Sequence, residues 1–236
     1  MKKKFKIKIF ADGADLKSIK TLNKINYING FTTNPSLMKK AGVKSYKKFA
    51  LEVMKSVKKK PVSFEVFADS LDKMEAQARE IASWGRNIFV KIPITNSKGE
   101  KTVKLIKKLN QDSIKCNVTA VFTLDQVKEI YQVSNKKTDL IISVFAGRIA
   151  DAGIDPIKTI QSSVNICKSK KNIKILWAST RELYNIFQAE KNGCQIITVP
   201  HSMLGKLNII GKNLNEYSIE TVKDFYNDAQ AAGYEL

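Results

Sequence analysis

Eight short apolar, β-branched runs, at residues 6–11, 27–31, 62–68, 88–92, 115–122, 140–145, 173–178 and 195–199, recur along this chain with helical patterns between them. That alternation constrains the fold more than any other feature. Strand, helix and strand in succession make the parallel βαβ unit. Eight of them in 236 residues match a single (β/α)8 TIM barrel of the α/β class, whereas a doubly wound sheet of that length usually has fewer strands. The amphipathic segments at 45–58, 71–84, 102–109, 124–133, 156–168 and 181–191 carry readable starts. Thr123 and Gln126 have capping-box spacing, and Asp155 precedes a proline, Pro156, suited to a first helical turn. Gly193 and Gly233 fall where helices should stop, and about 218–231 reads as a final helix. With no linker rich in Gly, Pro and Ser, one domain over residues 1–236 is the expected organisation.

Composition excludes several classes. With 43% apolar and 27% charged residues the chain is an ordinary globular sequence, neither a disordered tail nor a collagen. It has no run of about eighteen consecutive apolar residues. The start, Met1-Lys2-Lys3-Lys4-Phe5, leads into β-like alternation instead of a signal-peptide core. A cytoplasmic protein with no membrane partner is expected. Cys116, Cys167 and Cys194 are widely spaced and read as small core hydrophobes, and with His201 as the only imidazole a site of several His or Cys metal ligands is disfavoured. Lys and Arg number 41 against 22 Asp and Glu, a net charge of +19. Only Arg79, Arg86, Arg148 and Arg181 are arginines, and the lysines are scattered over nearly every helical segment, as on solvated faces. No nucleic-acid module is present, so no specific nucleic-acid partner is expected; the charge favours anionic small molecules.

Strands of a parallel barrel are buried on both faces and should be nearly all apolar. Here Asp12, Thr33, Asn34, Glu65, Lys91, Asn117, Thr119, Ser143, Ser179 and Arg181 fall within the strands or just beyond their ends. Strict alternation gathers Glu65 with Ser63, Asn117 with Thr119, Ser143 with Phe145, and Ser179 with Trp177 and Arg181, each set on one face. The C-terminal mouth, where barrel enzymes place their active sites, is the expected meeting point. If Asp12 points inward then so does Lys8, which is tolerable only at the bottom rim. Simpler readings stand beside these: Glu65 as a salt-bridge partner of Lys91, Ser179 as a helix cap with Glu182, Asn34 before Pro35 as a turn. An amine embedded among Phe89, Val90, Ile92 and Pro93 suits nucleophilic attack on a carbonyl, and Asp12 and Glu65 could move the protons that a Schiff base requires.

These motifs, ADGAD at 11–15, TTNPSL at 32–37, VKIP at 90–93, NVT at 117–119, ISVFAGRI at 142–149, ASTR at 178–181 and Gly193-Cys194, resemble the transaldolase family almost end to end. The resemblance implies a class I barrel enzyme that moves a dihydroxyacetone unit from a ketose phosphate to an aldose phosphate without a cofactor or metal. Lys91 then looks like the Schiff-base lysine and Asp12 like the acid/base at the carbon–carbon bond. Glu65 and Thr119 resemble the holders of the catalytic water, and Asn34, Asn117 and Ser143 the holders of the dihydroxyacetone hydroxyls. Thr33 and Phe145 fall in the same substrate-binding motifs, while Arg148, Ser179 and Arg181 match the phosphate pocket. The size is closer to the short branch that includes fructose-6-phosphate aldolase, which implies a homo-oligomer, a decamer in that branch. That aldolase has Gln where Glu65 stands and Tyr where Phe145 stands, so the site sides with transaldolase. The first motif has Gly13 where the family usually carries Thr or a similar residue.

Overall fold

A computed structural model describes residues 5–235; the lysine-rich start at 1–4 and residue 236 lie outside them. The elements run β1 (Lys8–Asp12), α1 (Leu16–Asn23), β2 (Ile28–Thr32), α2 (Pro35–Lys40), α3 (Tyr46–Ser56), β3 (Val62–Glu65), α4 (Leu71–Ser83), β4 (Ile88–Pro93), α5 (Val103–Gln111) and β5 (Cys116–Val121). There follow α6 (Leu124–Val133), β6 (Leu140–Val144), α7 (Ala146–Asp151), α8 (Pro156–Cys167), β7 (Ile173–Trp177), α9 (Tyr184–Lys191), β8 (Ile196–Pro200), α10 (His201–Leu204) and α11 (Leu214–Ala232). All eight strands pair in parallel and in chain order, and β8 closes on β1. The expected (β/α)8 barrel is the fold.

The lower barrel interior is apolar. Phe10, Ile141, Leu176 and Ile196 form one buried cluster, and the Phe10 ring lies where a side chain at Gly30 would stand, 2.6 Å from that position. Glycine in β2 therefore makes room for an aromatic plug. Lys8, on the same face as Phe10 and Asp12, is exposed at the start of its strand, the rim position that alternation required. Cys116, Cys167 and Cys194 are free and buried, and burial pushes the Cys116 and Cys194 thiols up to about 12.

Local chemistry sets the element ends. Thr123 and Gln126 form a reciprocal capping box, Asp155 caps α8 with Pro156 in its first turn, and Gly233 ends α11 in the left-handed conformation. Strand β3 stops at Glu65, short of 68, because the Gln77 side chain accepts from the Phe67 and Ala68 N–H groups, leaving no ladder for them. Helix α9 starts at Tyr184, three residues later than expected. The Asn185 side chain accepts from the Arg181 and Glu182 N–H groups, and Ser179 is no cap but sits at φ +64°. The last helix begins at Leu214 because Asn213 caps it, accepting from the N–H groups of Asn215 and Glu216.

The chain divides into a barrel unit ending at Leu204 and a second compact unit from Gly205 onward. The second holds α11, on which Leu214, Ile219, Val222 and Phe225 are exposed. Among the described residues no helix is long and apolar enough to cross a membrane.

Candidate active site

The ends of the strands open into a cavity of about 230 Å³ at the C-terminal side of the barrel. Asp12, Thr32, Asn34 and Lys91 line it from β1, β2, the cap of α2 and β4. Thr119, Ser143, Phe145 and Arg148 follow from β5, β6 and α7, and Ser179 and Arg181 from the segment after β7. Of the residues expected at the mouth, these nine line the cavity themselves: Asp12, Asn34, Lys91, Thr119, Ser143, Phe145, Arg148, Ser179 and Arg181.

Lys91 is 7% exposed, and its Nζ lies 3.0 Å from Glu65 Oε2 and donates to the Thr33 carbonyl at 3.4 Å. Register produces that pair directly, since Glu65 and Lys91 are partners on adjacent strands and side chains of paired residues share a face. Glu65 is thus an ion-pair partner of Lys91 and touches the cavity through it. Asp12 is half-buried at the wall of the cavity and accepts from the Thr32 hydroxyl at 2.7 Å. Burial raises its carboxyl above the ordinary value, against the lowering influence of Lys91, the Thr32 bond and His201. Thr32 in turn is 2.5 Å from the Thr198 hydroxyl.

A buried polar chain supports the wall behind the cavity. The Ser143 hydroxyl donates to Asn117 Oδ1 at 2.6 Å, and the other end of that amide donates to the Ser63 hydroxyl at 3.0 Å. Asn117 is wholly buried and does not line the cavity; it acts through Ser143. Thr119 Oγ1 is buried without a hydrogen-bond partner among the described residues, so its hydroxyl is available to a molecule in the cavity. Asn34 Oδ1 accepts from the Leu37 N–H as the α2 cap, which leaves its amide nitrogen to donate. Thr33 presents its carbonyl to Lys91 while its own buried hydroxyl has no hydrogen-bond partner among the described residues; its neighbour Thr32 is the one lining the cavity.

The far side is built differently. Leu176 of β7 and Ala178 just beyond it face the barrel interior, with Trp177 packed away from the cavity, so strict alternation does not carry Ser179 inward with Trp177. A left-handed Ser179 turns the chain instead. Its carbonyl would lie 1.6 Å from a side-chain carbon at position 147, so only Gly147 fits beneath it. Arg148 is exposed, its guanidinium 5.4 Å over the Phe145 ring. Arg181 Nε donates to both Asp151 oxygens at 3.1 and 3.0 Å, and its Nη2 also pairs with Asp151. The Asp151 carboxyl is held below the ordinary range by these bonds.

Across residues 9–236 the sequence matches the family model described as transaldolase/fructose-6-phosphate aldolase. The chain belongs to this family. Among its relatives, a "Probable transaldolase" of Nitrosopumilus maritimus is 34% identical over 85% of this chain and 87% of its own. Another of that name, from Thermoanaerobacter sp., is 33% identical over 94% of this chain and 98% of its own. Membership makes the chain an enzyme of the aldolase or transferase type. Solved structures share the fold at low identity. They include orotidine 5'-monophosphate decarboxylase from Metallosphaera sedula, with a TM-score of 0.56 at 13% identity over 89% of this chain and 98% of that one. N-acetylneuraminate lyase from Mycoplasma synoviae also scores 0.56, at 12% identity over 94% and 80% of the two chains.

Three residues in or beside the cavity escaped the sequence reading. Thr198 is the one polar residue in β8, the same anomaly that marked Lys91, and Thr32 sits at the end of β2 where alternation separates it from Thr33. Asp151 lies on a helix, and nothing in its surroundings in the sequence signals a partner thirty residues away.

Proposed function

We propose that this chain is a transaldolase that transfers a dihydroxyacetone unit between sugar phosphates through a Schiff base on Lys91. The observation that carries the reading is the buried Lys91 amine in the cavity, with the Glu65 carboxylate 3.0 Å from its nitrogen. Lys91 Nζ attacks the ketose C2 carbonyl, Glu65 takes and returns protons as the carbinolamine loses water, and the iminium becomes an electron sink. The Thr119 hydroxyl, with no hydrogen-bond partner among the described residues, suits the water that moves in this step.

The Asp12 carboxylate then accepts the proton of the C4 hydroxyl as the C3–C4 bond breaks and the aldose phosphate departs. Dihydroxyacetone stays on Lys91 as the enamine until an acceptor aldehyde enters and the same steps reverse. The Asn34 amide and Ser143 hydroxyl suit the donor's hydroxyls. Arg148, Ser179 and Arg181, grouped beyond β6 and β7, suit its phosphate. Phe145 offers no hydroxyl next to the reactive carbon, which favours transfer over hydrolytic release. The exposed apolar side chains of α11 support the homo-oligomer that the resemblance implies.

A coupled assay with fructose 6-phosphate, with and without erythrose 4-phosphate, tests the reading. Glyceraldehyde 3-phosphate should form only with the acceptor present. Equal rates in both arms would make the chain a fructose-6-phosphate aldolase-like lyase of the same family, and no product in either would refute dihydroxyacetone chemistry on this donor.

A further inference from the structure

Gly13 has no backbone reason to be glycine, since its φ is not in the left-handed region. Its reason is a neighbour. A side-chain carbon at position 13 would lie 2.5 Å from Cε1, 2.7 Å from Nδ1 and 2.8 Å from Nε2 of His201, so the imidazole at the start of α10 fills the space a residue-13 side chain would take. Nε2 of that ring is buried and has no hydrogen-bond partner among the described residues. The charged groups acting on the ring are Asp12, at the end of β1, and Asp15, at the cap of α1; Lys91 on β4 and the Thr32 hydroxyl on β2 act on Asp12 itself. His201 is the only imidazole in the chain, and it lies against the residue next to the proposed acid/base.

We infer that His201 is a positioning residue for Asp12: seated on Gly13, its ring fixes the end of β1 and supplies a charge that appears in acid, keeping Asp12 able to accept a proton at lower pH. The inference rests on the transfer reading, in which Asp12 must be ionised to take the C4 hydroxyl proton. Burial raises the Asp12 carboxyl and lowers the His201 imidazole, which brings their titrations toward one another. Protons arriving as the pH falls are then shared by the pair instead of settling on the carboxyl alone. An imidazolium next to Asp12 favours the carboxylate, and an uncharged residue in its place cannot.

The test is the pH profile of kcat/KM for dihydroxyacetone transfer by the full-length wild type and His201→Gln. At the alkaline plateau the variant should lose at most about tenfold, while its acid limb moves upward by about half a pH unit or more. A residue that only supports the fold would lower the plateau and leave the limb in place. An active variant with an unmoved limb, or one moved toward acid, would overturn the inference.

The steric half is tested separately. Gly13→Ala should cut kcat by about tenfold or more with little change in KM, and Gly13→Ala with His201→Ala should recover much of that loss, because removing the ring restores the space. A wild-type kcat in Gly13→Ala, or a double variant no better than the single, would also overturn it. This pair decides the matter if His201→Gln does not fold. Absence of transfer by the wild type at every pH would refute the transfer reading, whereas wild-type transfer with these outcomes missing would refute only the role of His201.

Discussion

Two ion pairs stand at the mouth of the barrel, and they differ in almost everything except charge. Lys91 and Glu65 come from adjacent strands, with side chains only 9% and 16% exposed. Arg181 and Asp151 come from a turn and a helix, with side chains 49% and 50% exposed. The first pair lies where water is scarce, so removing Lys91 leaves the Glu65 carboxylate without its ion-pair partner. The second is bathed in solvent, where breaking an ion pair costs little and an incoming anion can replace the carboxylate. Rigid, buried charge suits bond making, and loose, exposed charge suits capture and release of a phosphate. On the proposed reading, one barrel mouth divides the work between its two sides.

The largest effect is expected from breaking the buried pair. Borohydride with fructose 6-phosphate should trap a three-carbon adduct on Lys91 of the wild type, and Lys91→Met should abolish both transfer and that adduct while lowering thermal stability, because Glu65 is left uncompensated. Glu65→Gln should slow transfer by about 10²–10⁴-fold if the carboxylate moves protons for the Schiff base. The double variant Lys91→Met/Glu65→Gln should recover stability without activity. Trapping of the adduct on another lysine, or a double variant less stable than Lys91→Met, would break the contrast drawn above.

The exposed pair should respond in binding alone. Arg181→Ala is expected to raise KM for phosphorylated sugars by roughly tenfold, the loss of one charge-assisted bond, with little change in kcat or melting temperature. Asp151→Asn sharpens the comparison. If phosphate must displace this carboxylate, its removal should lower KM; if Asp151 instead aims the guanidinium, KM should rise. An equal loss of affinity for phosphorylated and unphosphorylated acceptors in Arg181→Ala would remove the phosphate from this side of the mouth.

The same division explains what could be read from sequence. Lys91, Glu65, Asn117 and Ser143 declared themselves because a polar residue inside an apolar strand is anomalous, and because period two then places it on a known face. The arginine side obeys no period. Ser179 reaches the cavity through a left-handed turn made possible by Gly147, thirty-two positions earlier, and Asp151 holds Arg181 from a six-residue helix that alternation cannot foresee. Likewise α1 and α2, short and rich in lysine, left no apolar stripe long enough to announce a helix, though Asp15 and Asn34 cap them. Contacts that span strands through regular register were legible, and contacts made by turns and caps were not.

The smallest effects should appear in the pH dependence of stability, where two carboxylates of the mouth carry opposite signs. Asp12 is raised by burial, so the folded chain holds its proton more tightly than the unfolded one. Stability contributed at this site therefore falls as the pH rises from about 4, where the unfolded carboxyl ionises, through the higher folded value, and stays low above it. Asp151 is lowered by Arg181, so its contribution is present above the unfolded value and is lost as the pH falls through the folded one. Asp12→Asn should accordingly raise the melting temperature at neutral pH and abolish transfer, with the gain shrinking toward nothing as the pH approaches about 4. Asp151→Asn should lower it slightly at neutral pH, with the loss fading in acid. Thermal melts of the three proteins across this range check both signs. A neutral-pH loss of stability in Asp12→Asn would mean that Lys91 and Thr32 outweigh burial at Asp12, and the carboxylate would then be a structural partner of the lysine instead of a strained base waiting for a proton.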